Sequence, residues 1–161
     1  MRRAILRGLR LVHLGGLTIL LGSISTFILI SALMEGTNLE NIGFGRKIIS
    51  AGTNILTLPA IWVLAASGIA MSCGRHNLRQ RFCRIKLLLI TIVMVNGYVF
   101  VVPAITSATS LAAQSLAQGQ LLPAYKSAYV QESVVGSLNV ALIIAAAVIG
   151  VWRTGDVESK E

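Results

Sequence analysis

The chain has 161 residues, of which 55% are hydrophobic and only 12% are charged, and its formal net charge is +8. A soluble domain usually carries about 25% charged residues, so this composition cannot cover a globular surface with charge and is typical of a membrane protein. The basic residues flank apolar segments and do not form a stripe interleaved with aromatic residues. We therefore expect the lipid bilayer as a partner and exclude nucleic acid.

Four apolar stretches predict four transmembrane helices in chain order, at about 9–33, 48–72, 87–105 and 134–152. A helix needs about 20 residues to cross a hydrocarbon core of roughly 30 Å, and each stretch is long enough. The stretches are apolar all round and do not alternate with a period of two, which excludes the strands of a membrane barrel. The sequence predicts an all-α integral membrane four-helix bundle, with residues 1–161 as a single transmembrane domain.

The first span follows an Arg-rich start, a feature that cleaved signal peptides share. Its apolar run is longer than that of a typical leader, and no convincing A-x-A cleavage site follows it. We therefore expect this segment to stay in the protein as a membrane helix.

The distribution of Lys and Arg predicts the orientation of the chain. Eleven lie at the N-terminus, in the loop between spans two and three, or in the C-terminal tail, and the opposite side has only Arg46, Lys47 and Lys126. By the positive-inside rule, both termini face the cytoplasm (N-in/C-in). The expected location is a bacterial inner (plasma) membrane. Cys73 and Cys83, at the ends of the basic loop, are then ordinary reduced thiols.

Three residues near the cytoplasmic ends of the spans are candidates for cofactor binding. His13 lies about one turn inside the first span, where an ionisable group indicates function, and imidazole is a common metal and haem ligand. Lys86 opens the third span at the same level, and Met71 ends the second span with a thioether that can bind haem iron. The structural alternatives are an interfacial histidine bonded to a carbonyl or headgroup, a lysine that snorkels and a methionine that fills space.

Polar and small residues within the spans predict how the helices pack. Three amides at comparable depth are expected to hydrogen-bond across the bundle, with a polar translocation path as the alternative: Asn54, Asn96 and Asn139. Small residues four apart let helix backbones approach closely: Gly22 with Thr26, Gly68 with Ser72, and Ala141 with Ala145. The predicted spans contain no carboxylate and no charged pair, which argues against a transporter.

Three segments resemble helices of one bacterial superfamily of small four-helix membrane proteins. The segment LRGLRLVHLGGLTILLGS resembles its first helix, in which a histidine precedes a Gly-rich stretch. The segment FCRIKLLLITIVMVNGYVFVVPA resembles its third helix, which opens with a lysine after a short basic loop, and AYVQESVVGSLNVALIIAAAVIGVW is similar to its last helix. The superfamily includes HemJ-type protoporphyrinogen oxidases and CopD-like copper-resistance proteins. The chain is most similar to uncharacterised members, since aliphatic residues stand where characterised relatives carry a Trp after the histidine.

The resemblance implies a haem-associated or redox-linked role, with His13 and Lys86 matching the important positions of HemJ-type members. We therefore expect a membrane-embedded haem- or porphyrin-associated protein of redox type, with an unknown substrate. In it His13 is the metal ligand of haem b, and Lys86 and Met71 lie close to the cofactor. The alternative is a non-catalytic membrane subunit or scaffold that packs against a partner membrane protein or forms a homo-oligomer. Both alternatives leave open whether the chain is an enzyme.

Overall fold

The computed structural model describes the backbone of residues 2–75 and 81–158, and the side chains of residues 4–71, 84–85 and 87–149. Within these ranges the chain is helical apart from two short turns and contains no strand. The helices in chain order are α1 (Arg2–Met34), α2 (Leu39–Gly52), π1 (Thr53–Thr57), α3 (Leu58–Arg75), α4 (Arg81–Asn96), π2 (Gly97–Val101), α5 (Val102–Gln118) and α6 (Pro123–Glu158). Because α2, π1 and α3 are continuous, as are α4, π2 and α5, these helices form four rods.

Four segments of the rods are long and apolar enough to cross a membrane: Ala4–Met34, Leu39–Met71, Leu87–Gln118 and Pro123–Ile149. This confirms the prediction of an all-helical chain with four apolar helices. The segments contain 27 to 33 residues. At 1.5 Å per residue they are about 40 to 50 Å long, which exceeds a hydrocarbon core of roughly 30 Å.

The two described turns are stabilised by local caps. Asn38 precedes α2 in an extended conformation, and its side-chain oxygen accepts a hydrogen bond of 2.9 Å from the backbone N–H of Asn41. This satisfies one of the free donors in the first turn of the helix. Gly119 ends α5 with a φ of 68°. Its N–H donates to the carbonyl of Leu116, and the N–H of Gln120 donates to the carbonyl of Ser115. These two bonds form a Schellman cap, in which glycine is favoured because the conformation is left-handed.

Each of the two middle rods contains one π turn, and each π turn ends two residues before a proline, Pro59 or Pro103. Proline has no backbone N–H, and its ring clashes with the carbonyl four residues earlier. The wider turn relieves this clash, since the residue before each proline donates its N–H to the carbonyl five residues back, that of Thr53 or Gly97. The prolines therefore change the helical period locally and leave both rods continuous.

The rods pack mainly against their neighbours in the chain. Helix α1 lies against α2, π1 and α3, helix α2 lies against α5, and α6 lies against α4, π2 and α5. One apolar cluster fills the end of the bundle where α1 ends and α6 begins: Met34, Ile42, Ile49, Ile105, Ala112 and Tyr125. A second, which we call the central cluster, contains Leu20, Ala60, Ile61, Val93 and Ile143. We call the first end the Arg46 end and the opposite one the His13 end.

The outward-facing residues change along the rods. In their middle parts large apolar side chains are exposed, among them Ile55, Trp62, Ile92, Val99, Leu138 and Ile144. At the Arg46 end many exposed residues are polar, among them Glu40, Asn41, Lys47, Ser110, Gln114, Gln118, Lys126 and Gln131. Apolar side chains suit hydrocarbon, whereas polar ones suit water and headgroups. We infer that the rods extend beyond the hydrocarbon core at the Arg46 end, which accounts for their excess length.

Candidate functional site

The ring of His13 is partly buried in the interface between α1 and α3. Its Nδ1 atom is 2.9 Å from the Oγ atom of Ser67, a residue that is only 3% exposed. The same Oγ atom lies 2.6 Å from the carbonyl oxygen of Val63, one turn earlier in α3. A hydroxyl has one proton, and a carbonyl can only accept it. The Ser67 hydroxyl therefore donates to Val63 and accepts a hydrogen bond from the Nδ1–H of His13.

This hydrogen bond assigns the tautomer of His13. In the neutral ring Nδ1 carries the proton, so the lone pair lies on Nε2. Histidines that bind metal or haem iron usually have their second ring N–H held in this way, which fixes the orientation of the ring. The contact therefore fixes the orientation of the His13 ring, as in many ligand histidines and in many structural ones.

Three helices meet beside His13, at the backbone of Gly68. A Cβ atom on Gly68 would lie 3.6 Å from the Cε1 atom of His13 and 3.7 Å from the Cδ1 atom of Ile90. These are ordinary van der Waals distances, so α1 and α4 both lie close to the backbone of α3 at this level. Gly68, the first residue of the predicted Gly68–Ser72 pair, is therefore packed between helices of the bundle.

The other two predicted cofactor residues belong to the helices that meet here. Met71 lies in α3, one turn beyond Ser67, and its side chain is partly buried. Lys86 lies in α4, four residues before Ile90, and its side chain lies outside the described residues. The backbone thus brings together the three helices that carry His13, Met71 and Lys86. The roles of Met71 and Lys86 in binding a cofactor stay predictions.

Among the side chains that the structure describes, no three His, Cys, Asp or Glu residues converge to hold a metal ion. A haem needs only one or two protein ligands, because the porphyrin supplies the other four.

A second polar centre lies at the Arg46 end, where the sequence predicted a loop at the membrane surface. Arg46 lies in α2 and is 0% exposed, and its Nη2 atom donates to the Oε2 atom of Glu132 in α6. Glu132 falls within the fourth apolar segment, Pro123–Ile149, and its side chain is 14% exposed. Arg46 and Glu132 lie outside the predicted spans 48–72 and 134–152, in the parts of their helices that precede those spans. Both helices begin earlier than predicted and carry these residues into the bundle.

Polar and aromatic groups surround this ion pair. The Oγ1 atom of Thr109 lies 3.4 Å from the carbonyl oxygen of Arg46, which places α5 against α2 at this level. Tyr125, Tyr129 and Glu132 share one face of α6, and the two tyrosine rings stack with centroids 6.3 Å apart. Two further donors of Arg46, Nε and Nη1, are buried and have no acceptor among the described residues. The ion pair is therefore enclosed, and its guanidinium is only partly satisfied by protein atoms.

A sequence signal for this centre exists. Arg46 lies four residues after Ile42 and three before Ile49, and all three are buried on one stripe of α2. Glu132 takes the corresponding place on the stripe of α6 that begins at Tyr125. A charge at a position where the helical period requires an apolar residue indicates burial. A count of charges by loop misses this signal, because it treats each charge as a boundary of the membrane span.

Two of the three predicted amides meet inside the bundle. The Nδ2 atom of Asn96 in α4 donates to the Oδ1 atom of Asn139 in α6 at 3.1 Å and to the carbonyl oxygen of Val135 at 3.3 Å. This confirms that amides link two of the rods. Asn54 is exposed and donates at 2.8 Å to the carbonyl oxygen of Ser50 in its own rod, so its predicted interhelical role is wrong.

The central cluster separates the two polar ends. Its members fill the interior between the His13–Ser67 contact and the ion pair: Leu20, Ala60, Ile61, Val93 and Ile143. Two polar pairs lie along this part of the interior, Ser23 with Thr57 at 3.0 Å and Asn96 with Asn139 at 3.1 Å. The polar translocation path stays an untested alternative.

Comparison of the chain with protein-family models, with curated proteins and with solved structures found no match. The function is therefore argued from the geometry of the two ends and from the resemblance of the three segments quoted above.

The ion pair predicts a double-mutant cycle. Arg46→Met alone should lower the free energy of unfolding by about 3–5 kcal/mol, because it leaves Glu132 buried without its partner. The double variant Arg46→Met/Glu132→Leu should recover most of this loss, since it removes both charges. Reversible unfolding in detergent measures these changes. Lys47→Met removes the adjacent exposed cation and should change stability by less than about 0.5 kcal/mol. Losses that simply add in the double variant would contradict the pairing.

Proposed function

We propose that the protein is a membrane-embedded haem- or porphyrin-associated protein of redox character, similar to the HemJ/CopD-like superfamily, with His13 as its axial ligand. The observation that carries this proposal is the hydrogen bond between His13 and Ser67. It supports the proposal because a second-ring-nitrogen hydrogen bond of this kind orients histidines that bind iron. The substrate class follows only from the resemblance and is a porphyrin or an electron carrier.

In this proposal the residues of the chain hold and orient the cofactor. A bound haem b supplies one-electron chemistry. Ser67 makes the imidazole of His13 more basic by accepting its Nδ1–H. Lys86 would provide a cation for an acidic side chain of the porphyrin, and Met71 would supply a thioether to the iron. The resemblance supports the assignment of Lys86, since it matches the lysine that opens the third helix of the superfamily.

An absorption spectrum tests the haem proposal. Protein purified after expression with ample haem should show a Soret band, and His13→Ala should abolish it. Ser67→Ala should weaken haem binding by about 10- to 100-fold, because it removes the group that orients the ligand. Thr18→Ala, which changes an exposed hydroxyl on the same helix, should leave the band unchanged. A colourless wild-type protein would overturn the proposal.

We also propose that both termini face the cytoplasm of a bacterial cell, with the Arg46 end on the outer side of the inner membrane. Three cations lie at that end, and Glu132 neutralises one of them, Arg46. In the sequence the other eleven lie in the N-terminal segment, the loop between the second and third spans and the C-terminal tail. This asymmetry supports the orientation through the positive-inside rule.

Cysteine labelling tests the orientation. In a chain with Cys73 and Cys83 replaced by serine, Gln120→Cys should react with a membrane-impermeant maleimide in intact cells, because Gln120 is exposed at the Arg46 end. A chain that restores Cys73 alone should react only after lysis. The reverse pattern would show the opposite orientation.

A second function, that of a non-catalytic membrane subunit or scaffold, is favoured by the outer face of α1. Gly8, Gly15 and Gly22 recur every seven residues, all are exposed, and a Cβ atom on any of them would meet nothing within 4 Å. Thr18 and Ser25 lie between and beyond them on the same exposed stripe. A stripe of small residues lets another helix approach closely. The predicted pairs Gly22 with Thr26 and Ala141 with Ala145 are likewise exposed.

This second function predicts that bulk on the outer face of α1 disrupts assembly. Gly15→Leu and Gly22→Leu should abolish a homo-oligomer or partner complex, measured by native mass spectrometry from nanodiscs, and leave the monomer as stable as before. Ala66→Leu, on an exposed face of α3, is the matched control and should have no effect. His13→Ala should leave assembly intact. A wild-type protein that is monomeric and without partners would contradict the scaffold function.

A further inference from the structure

The guanidinium of Arg46 is buried with part of its hydrogen-bonding capacity unused. Its Nη2 atom donates to Glu132, whereas Nε and Nη1 have no acceptor among the described residues. Each buried N–H group without an acceptor costs about 1–3 kcal/mol, and more when the group is charged. We propose that Nε and Nη1 of Arg46 each bind an internal water molecule, so that the Arg46–Glu132 pair is a hydrated polar centre.

The shape of the guanidinium requires two molecules. Its N–H groups lie in one plane and point in fixed directions. The Nε–H lies on the edge that Nε shares with Nη2, and Nη1 lies on the other side of the group. Glu132 occupies Nη2, which stands between them. One ligand therefore cannot reach both Nε and Nη1, and a single bidentate carboxylate or phosphate does not fit.

The charge and the enclosure of the site both favour water. The charges of Arg46 and Glu132 cancel, so a further anion would leave a negative charge buried without a partner, which is costly. Arg46 is 0% exposed, so bulk solvent does not reach its Nε and Nη1 atoms. A buried water needs two to four polar partners. Polar groups on the adjoining helices include Thr109, whose hydroxyl lies 3.4 Å from the Arg46 carbonyl, and Tyr125, which shares a face of α6 with Glu132.

Radiolytic hydroxyl-radical footprinting tests this proposal, because X-rays generate the radical from water and it modifies side chains next to a bound water. The full chain in lipid nanodiscs is the sample, and water is the probe. Met34 and Tyr125 are 7% and 8% exposed and belong to the apolar cluster at the Arg46 end. Met94 is partly buried against the central cluster, so it is more exposed than Met34 and serves as a stringent control. We expect Met34 to be modified several-fold faster than Met94, although Met34 is well buried.

Variants of the pair distinguish bound water from bulk water. In Arg46→Met/Glu132→Leu the modification rates of Met34 and Tyr125 should fall several-fold, because the groups that hold the waters are gone. Arg46→Lys keeps the charge and removes Nε and Nη1, and it should lower both rates in a chain that keeps its ion pair.

Three results would overturn the proposal. The first is a Met34 rate no higher than that of Met94. The second is a rate that neither variant changes, since the radical would then come from bulk water. The third is stabilisation of the wild-type chain, and not of the double variant, by chloride or inorganic phosphate, which would identify an anion in place of the waters.

Discussion

A bilayer core offers the polypeptide backbone no hydrogen-bond partner, and this constraint governs the structure. Each crossing segment must satisfy its own N–H and C=O groups, so the chain forms helical rods and places its turns at their ends. The constraint also explains the π turns. A proline inside a rod removes one donor, and the rod stays continuous because the preceding residue donates one position further back, to Thr53 or Gly97.

The same environment makes polar contacts between rods informative about packing. Apolar side chains gain little by leaving lipid for another helix, because lipid tails are equally apolar. Interhelical hydrogen bonds contribute about 0.6–2 kcal/mol each and depend on which helix faces meet. The bundle has an imidazole–hydroxyl contact between rods one and two, an amide pair between rods three and four, and an ion pair between rods two and four. Together they connect all four rods at three different levels.

The sequence was sufficient to predict the crossings and to single out His13, because apolar runs and a lone imidazole are local signals. It could not predict Ser67 as the partner of His13. A serine in an apolar helix can bond its own backbone, and only the rotation of α1 against α3 decides which partner it meets. For the same reason, Asn54 and Asn96 looked equivalent in the sequence but made different contacts.

The Arg46–Glu132 pair was missed for a different physical reason. A hydropathy scale gives each charged residue the free-energy cost of entering the membrane alone. Arg46 therefore marked the edge of the second predicted span, and Glu132 marked the edge of the fourth. The cost changes when the two charges meet, and that meeting depends on tertiary structure. The helical period did place both residues on buried stripes, so the periodicity was more informative here than the hydropathy.

The two partners of the ion pair are separated by 86 residues in the chain. If synthesis proceeds at about 5–20 residues per second, the ribosome adds Arg46 to the chain roughly 4 to 17 s before it adds Glu132. During that interval the guanidinium of the second rod lacks the carboxylate that the fourth rod supplies. Biogenesis of this end therefore finishes late, when the fourth rod is inserted. Until then the first three rods form an incomplete bundle that lacks the Arg46–Glu132 ion pair.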